Sequence, residues 1–147
     1  RRSSGETSMV ECKTVFYSAR KTSLCERALK KSFSELDLDM GNVSFAADKG
    51  SLCNVLTEAF GECNIVFVIG GLGFGDERDI KNIVSRLIKS SCVDDCKKLK
   101  NPLGDDGCVV RAQHQLLVLL PDEPEQIEAI MQGAIAGYIK ITENARV

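Results

Sequence analysis

The hydrophobic pattern of the chain changes period several times, and each change marks an element. Residues 12–19, CKTVFYSA, put Val15, Phe16 and Tyr17 in a short run that suits a pleated strand. Thr22 or Ser23 is placed to cap a following helix, and Glu26 completes a capping box with Ser23. Leu24, Ala28, Phe33 and Leu36 then recur at roughly helical spacing, with Lys30 and Lys31 outside. Residues 42–48, NVSFAAD, read as a short second strand. Residues 51–60 read as a second helix carrying Leu52, Val55, Leu56 and Phe60, closed by Gly61.

The next stretch, NIVFVIG from Asn64, is apolar without alternation, the pattern of a central parallel strand covered on both faces. Beyond it, Ile80, Ile83, Val84, Leu87 and Ile88 give the cleanest amphipathic helix in the chain. Residues 101–107, NPLGDDG, have turn chemistry. Residues 108–120, CVVRAQHQLLVLL, are two apolar runs flanking AQHQ, which predicts an antiparallel hairpin. A proline and acids then open a last helix, with Ile127, Ile130, Met131, Ala134, Ile135 and Tyr138 as its apolar stripe. The order βαβαβα, hairpin, helix predicts an α/β three-layer sandwich with a mostly parallel sheet.

Composition narrows this little. At 147 residues, 44% hydrophobic and 27% charged, the chain has the make-up of one ordinary globular domain, expected over residues 11–147 after a polar tail at 1–10. A net charge of -2 argues against nonspecific nucleic-acid binding. The locally basic residues 89–100, KSSCVDDCKKLK, are interrupted by acids and read as solvated surface. No apolar run approaches the roughly 20 residues of a membrane span, and the N-terminus has no signal-peptide pattern. Seven cysteines with no CxxC pair and one histidine disfavour a common zinc site, and reduced cysteines point to the cytoplasm. Cys92 and Cys96 would share a face if that segment were helical. His114 falls in the predicted hairpin turn, a surface position.

Chemistry concentrates at Gly70, Gly71, Gly73 and Gly75, at the carboxyl end of the buried strand. A loop without Cβ atoms before a helix lets phosphate oxygens approach backbone N–H groups, although such glycines can also serve only to turn the chain. A Walker loop needs lysine after the last glycine, where Asp76 stands; the dinucleotide pattern would need glycine at the same position. Asp76, Glu77 and Asp79 would repel a bare phosphate unless a divalent cation bridges them to it; acids also suit the first turn of a helix, which accounts for Asp76 and Glu77.

Residues 70–81, GGLGFGDERDIK, resemble the hallmark of the molybdopterin-binding domain family, which includes molybdenum-cofactor biosynthesis proteins and the N-terminal domain of CinA-type proteins. Arg78-Asp79-Ile80 takes the place of its Arg-Asp-aliphatic triplet. Residues 101–131, from NPLG through LLPDEP, resemble the CinA-type branch in order and spacing, and Asp48 matches an acid after the second strand. The resemblance implies that Gly70, Gly71, Leu72, Gly73, Gly75, Pro121 and Asp122 bind a molybdopterin or nucleotide ligand. It implies that Asp48 and Asp79 position Mg²⁺ or the attacking group and that Arg78 neutralises developing charge. The implied activity is nucleotidyl transfer to molybdopterin or hydrolysis of a nucleotide pyrophosphate, in a dimer or trimer. Three positions depart from the pattern. The first loop lacks its glycine and acid, Lys81 replaces threonine, and Asp122 replaces a glycine between Leu120-Pro121 and Pro124. Those departures favour a domain that keeps the fold for binding or regulation. A third reading is one domain of a longer protein, since CinA-type proteins often carry a second, amidase domain.

Overall fold

A six-stranded mixed sheet in the order β2-β1-β3-β6-β5-β4 forms the middle layer. The computed structural model describes residues 10–36, 38–72, 80, 83, 95–104, 106–112, 115–133, 135 and 137–139. In chain order these give β1 (Val10–Tyr17), α1 (Thr22–Glu35), β2 (Leu38–Ala46), α2 (Lys49–Glu62), β3 (Ile65–Ile69), β4 (Asp95–Leu99), β5 (Gly107–Ala112), β6 (Gln115–Leu120) and α3 (Pro124–Met131). Strands β2, β1, β3 and β6 run parallel, while β5 is antiparallel to both β6 and β4.

Each face of the sheet carries its own core. On one face Cys12, Phe16, Phe67, Leu116 and Val118 meet α1 and α3 through Cys25, Leu29, Phe33, Ile127 and Ile130. Phe33 and Phe67 pack there with ring centroids 4.7 Å apart. On the other face Val15, Tyr17, Val66, Val68 and Leu119 meet Leu52, Leu56 and Ala59 of α2, with Ile80 and Ile83. Strand β3 is buried at every residue, as its unbroken apolar run predicts. Each such side chain contributes about 2 kcal/mol of burial, so the central strands anchor both layers.

Several expectations change in detail. The second strand starts at Leu38, four residues earlier than its apolar run, because as an edge strand it tolerates Asp39. Helix α2 continues through Gly61 and ends with Cys63. The buried stripe of α1 is Cys25, Ala28, Leu29, Ser32 and Phe33, and Leu24 is 49% exposed. Residues 95–99, expected as solvated surface, are strand β4, which places Cys96 on a strand. This is a charged edge strand, with Lys97 and Lys98 exposed and Leu99 buried, a composition that discourages pairing with other chains. The last helix is interrupted by a turn at Gln132 and Gly133, although Ile135 and Ile139 continue its buried stripe. Ile80 and Ile83 have helical backbone and are buried; the rest of that predicted helix, Cys92, His114 and Ala134 lie outside the described residues. Among the described residues no helix is long and apolar enough to cross a membrane.

Candidate functional site

Chain reversal makes the site. From β1 the chain passes over one face through α1 to β2; from β3 it leaves toward the other face, where Ile80 and Ile83 pack. The chain therefore leaves the carboxyl ends of the paired strands β1 and β3 in opposite directions, and open α/β sheets bind ligands at such a switch point. The opening is a crevice of about 530 Å³ lined by Ser18, Ala19, Arg20, Gly70, Gly71, Leu72 and Asp122. Its size falls within the range of small-molecule pockets, roughly 300–1,000 Å³.

The floor is set by two left-handed glycines. Gly70 has φ +100° and Gly71 φ +78°, angles that an L side chain rarely adopts. A Cβ on Gly70 would overlap the Tyr17 carbonyl oxygen, and one on Gly71 would overlap the buried Tyr17 ring. The Gly70 N–H donates to the Leu120 carbonyl at 2.9 Å, and the Gly71 carbonyl accepts from the Ile80 N–H at 2.8 Å. These two glycines thus hold the chain's own backbone, which accounts for their identity without a ligand. Among the described residues, the N–H groups of Gly71 and Leu72 donate to no protein acceptor.

The opposite wall is β1 running into α1. Ser18 takes φ +49°, an uncommon angle outside glycine that recurs at binding sites, and its N–H donates to the Ala46 carbonyl at 3.0 Å. Arg20 lines the crevice, is exposed and, among the described residues, makes no ion pair. The predicted capping box does not form: α1 begins after Lys21 with no side-chain cap of its own. Asp122 supplies the acceptor from across the chain. Its Oδ2 accepts from the Arg20 N–H at 2.6 Å, and its two oxygens lie 3.3 and 3.4 Å from the Lys21 nitrogen. The Cys25 thiol donates to Oδ1 at 3.4 Å; burial and then this hydrogen bond push its pKa up to about 12, so it stays an un-ionised thiol. Lys21 pairs with Glu123 at 2.8 Å, which raises its pKa.

Four expected site residues therefore converge: Gly70, Gly71, Leu72 and Asp122. Pro121 is buried directly before Asp122. Asp48 does not line the crevice. It caps α2, with its Oδ1 accepting from the Ser51 N–H at 2.8 Å, and Ser51 holds its carboxyl below the usual carboxylate range. Gly73, Gly75, Arg78, Asp79 and Lys81 lie outside the described residues. Ser18, Ala19 and Arg20 were not singled out from the sequence; their signal is position alone, at the end of β1 beside the strand where the chain reverses. The NPLG segment also lies at this end of the sheet, since β5 starts opposite the end of β6. Its buried Asn101 accepts from the Leu103 N–H at 3.0 Å and donates to Gln126 Oε1 at 2.7 Å, tying the β4–β5 loop to α3.

A mostly parallel sheet between two helical layers, with a crevice at its switch point, defines an α/β sandwich class of fold. No protein-family model matches the sequence, and no curated protein matches it. Solved structures do match in fold. A molybdenum cofactor biosynthesis protein B superposes with a TM-score of 0.71 at 17% identity, over 93% of this chain and 96% of that one. The molybdopterin biosynthesis enzyme MoaB of Thermus thermophilus gives 0.71 at 12% identity, over 93% and 96%. The protein CinA of Thermoplasma acidophilum gives 0.66 at 12% identity, over 88% and 98%. The chain has the fold of these molybdenum-cofactor biosynthesis and CinA proteins, as the sequence resemblance implied.

Proposed function

We infer that this domain binds a small phosphate-bearing ligand, a pterin or a nucleotide, in the crevice between the ends of β1 and β3. The observation that carries the reading is the convergence of the glycine turn and the exposed Arg20 on one cavity at the topological switch point. The Gly71 and Leu72 N–H groups and the Arg20 guanidinium are donors suited to phosphate oxygens. The names of the fold relatives, two of them cofactor-biosynthesis proteins, support the same ligand class.

A catalytic form of this reading, nucleotidyl transfer or nucleotide pyrophosphate hydrolysis with Mg²⁺, requires Asp79 and Arg78 to face the crevice with Asp48. The fit of a metal can be judged on Asp48, whose carboxylate is engaged at the N-terminus of α2 and lines no part of the cavity. Among the described residues no cluster of three His, Cys, Asp or Glu side chains could hold a metal ion. The described residues do not fit the ion, and no chemical step is derived through it. One observation favours the second reading, a binding or regulatory domain that keeps the fold. Two departures from the family pattern meet here, because the first loop lacks its own acid and Asp122 supplies a carboxylate to that loop's N–H groups.

Calorimetric titration tests the binding. ATP, ADP-ribose or molybdopterin is expected to bind saturably, and Arg20→Ala is expected to weaken binding about tenfold, the size of one charge-assisted contact. Absence of binding by all three would remove the phosphate reading. Binding that ignores Arg20→Ala would move the site elsewhere. Turnover that depends on Mg²⁺ and is lost in Asp79→Ala would establish the catalytic form.

A further inference from the structure

A second hollow adjoins the crevice, and one wall of that hollow is aromatic. It has a volume of about 310 Å³, is lined by Phe16, Ser18, Ala19, Phe45, Ala46 and Ala47, and shares Ser18 and Ala19 with the crevice. Phe16 and Phe45 are partners in the β1–β2 ladder, so their side chains lie on the same face of the sheet. Their rings stack with centroids 5.5 Å apart and planes 21° from parallel. Phe16 is buried, whereas Phe45 is 62% exposed on the edge strand.

A single exposed apolar side chain is ordinary. Phe45 differs in two respects. Stacking on a buried ring fixes the plane it presents, and the space beside it shares the Ser18–Ala19 wall with a candidate phosphate site. Ala19, Ala46 and Ala47 keep that space clear of bulky side chains. The remaining exposed large hydrophobics among the described residues, Leu24 and Leu103, are aliphatic and line neither cavity.

We propose that the hollow is the ring subsite of the crevice's ligand, in which Phe45 stacks on a planar nitrogen heterocycle, a nucleobase or a pterin, whose phosphate lies beside Arg20. The proposal rests on the phosphate reading above and adds the place where the ring of that ligand sits and the residue that holds it. Among the described residues, the only side-chain polar group lining the hollow, the Ser18 hydroxyl, donates to the Ala47 carbonyl at 3.3 Å. Few side-chain groups remain there to read the edge of a ring, so stacking carries the recognition and discrimination among flat rings is weak.

Calorimetry with AMP, ribose 5-phosphate, adenosine and neopterin separates the two ideas in the wild type, Phe45→Ala and Phe45→Tyr. AMP and ribose 5-phosphate carry the same phosphate and sugar charge and differ in the ring. AMP is expected to bind about tenfold more tightly, the size of one base–aromatic stack. Phe45→Ala should abolish that ratio and Phe45→Tyr should keep it, with ribose 5-phosphate affinity equal in all three proteins. If ribose 5-phosphate binds but AMP gains nothing, or the ratio survives Phe45→Ala, the ring subsite is overturned and the phosphate reading stands. If both phosphate compounds fail, the phosphate reading falls and the bare rings decide. Adenosine or neopterin binding that Phe45→Ala removes supports the subsite, with the tighter of the two identifying the ring; no binding of either overturns it. A change from oligomer to monomer in Phe45→Ala, seen by sedimentation without any ring-dependent affinity, would make the Phe45 face a subunit contact and overturn the proposal.

Discussion

Gly70→Ala is expected to destabilise the fold by about 4 kcal/mol, the sum of a left-handed backbone forced on an L residue and a steric clash. The clash is with backbone, because the new methyl group would overlap the Tyr17 carbonyl oxygen at the end of β1. A flexible side chain could swing aside; a strand carbonyl held between two parallel neighbours cannot. Relief would require the β1 and β3 ends to separate, which pulls the Gly70 N–H from the Leu120 carbonyl and loosens β6 as well. For a domain of this length the change corresponds to a fall in Tm of roughly 10 °C. Leu72→Ala, two residues on and half-buried, is the control and should cost far less. A Gly70→Ala protein that melts within about two degrees of the wild type would show that the turn is looser than described.

The second large effect is expected at Asp122. Its carboxylate holds the two N–H groups just ahead of the first turn of α1, although it comes from the other end of the chain. Asp122→Ala removes the acceptor for the Arg20 and Lys21 N–H groups and a negative charge at the positive end of the helix. The expected loss is about 2 kcal/mol, or a Tm lower by roughly 5 °C. Asp122→Asn keeps an acceptor oxygen without the charge and should lose about half as much. Glu123→Ala breaks a solvent-exposed pair with Lys21 and should change stability by no more than about 0.5 kcal/mol. Equal losses for Asp122→Ala and Glu123→Ala in thermal melts would contradict the capping role.

Much of the fold is legible in the sequence because burial imposes periodicity. The apolar run of β3, the hairpin of β5 and β6 and the acid-and-proline opening of α3 each carry a local signal, and each is present. Strand β4 escapes a sequence reading because it is an edge strand with Lys97 and Lys98 exposed, and DCKKL reads as part of the charged run around it. The cap of α1 differs from expectation for another reason. Ser23 and Glu26 satisfy the local capping pattern, but α1 starts at Thr22, and Asp122 engages the Arg20 and Lys21 N–H groups ahead of it through a contact 102 residues distant in sequence, which no local rule detects. The candidate site is half legible. Glycines 70 and 71 announce the turn, while Ser18 and Arg20 gain meaning only once β1 and β3 are neighbours. Asp48 shows the converse, since its sequence position matches a functional acid and its carboxylate caps α2.

The central claim is that a phosphate-bearing ligand occupies the crevice between the ends of β1 and β3. Amide chemical-shift mapping of the ¹⁵N-labelled protein during titration with AMP tests it most directly. The account predicts saturable shifts concentrated at Ser18, Ala19, Arg20, Gly71 and Leu72, with the amides of the β4–β5 loop unmoved. Saturable shifts confined to other surfaces, or none at millimolar AMP, would contradict it.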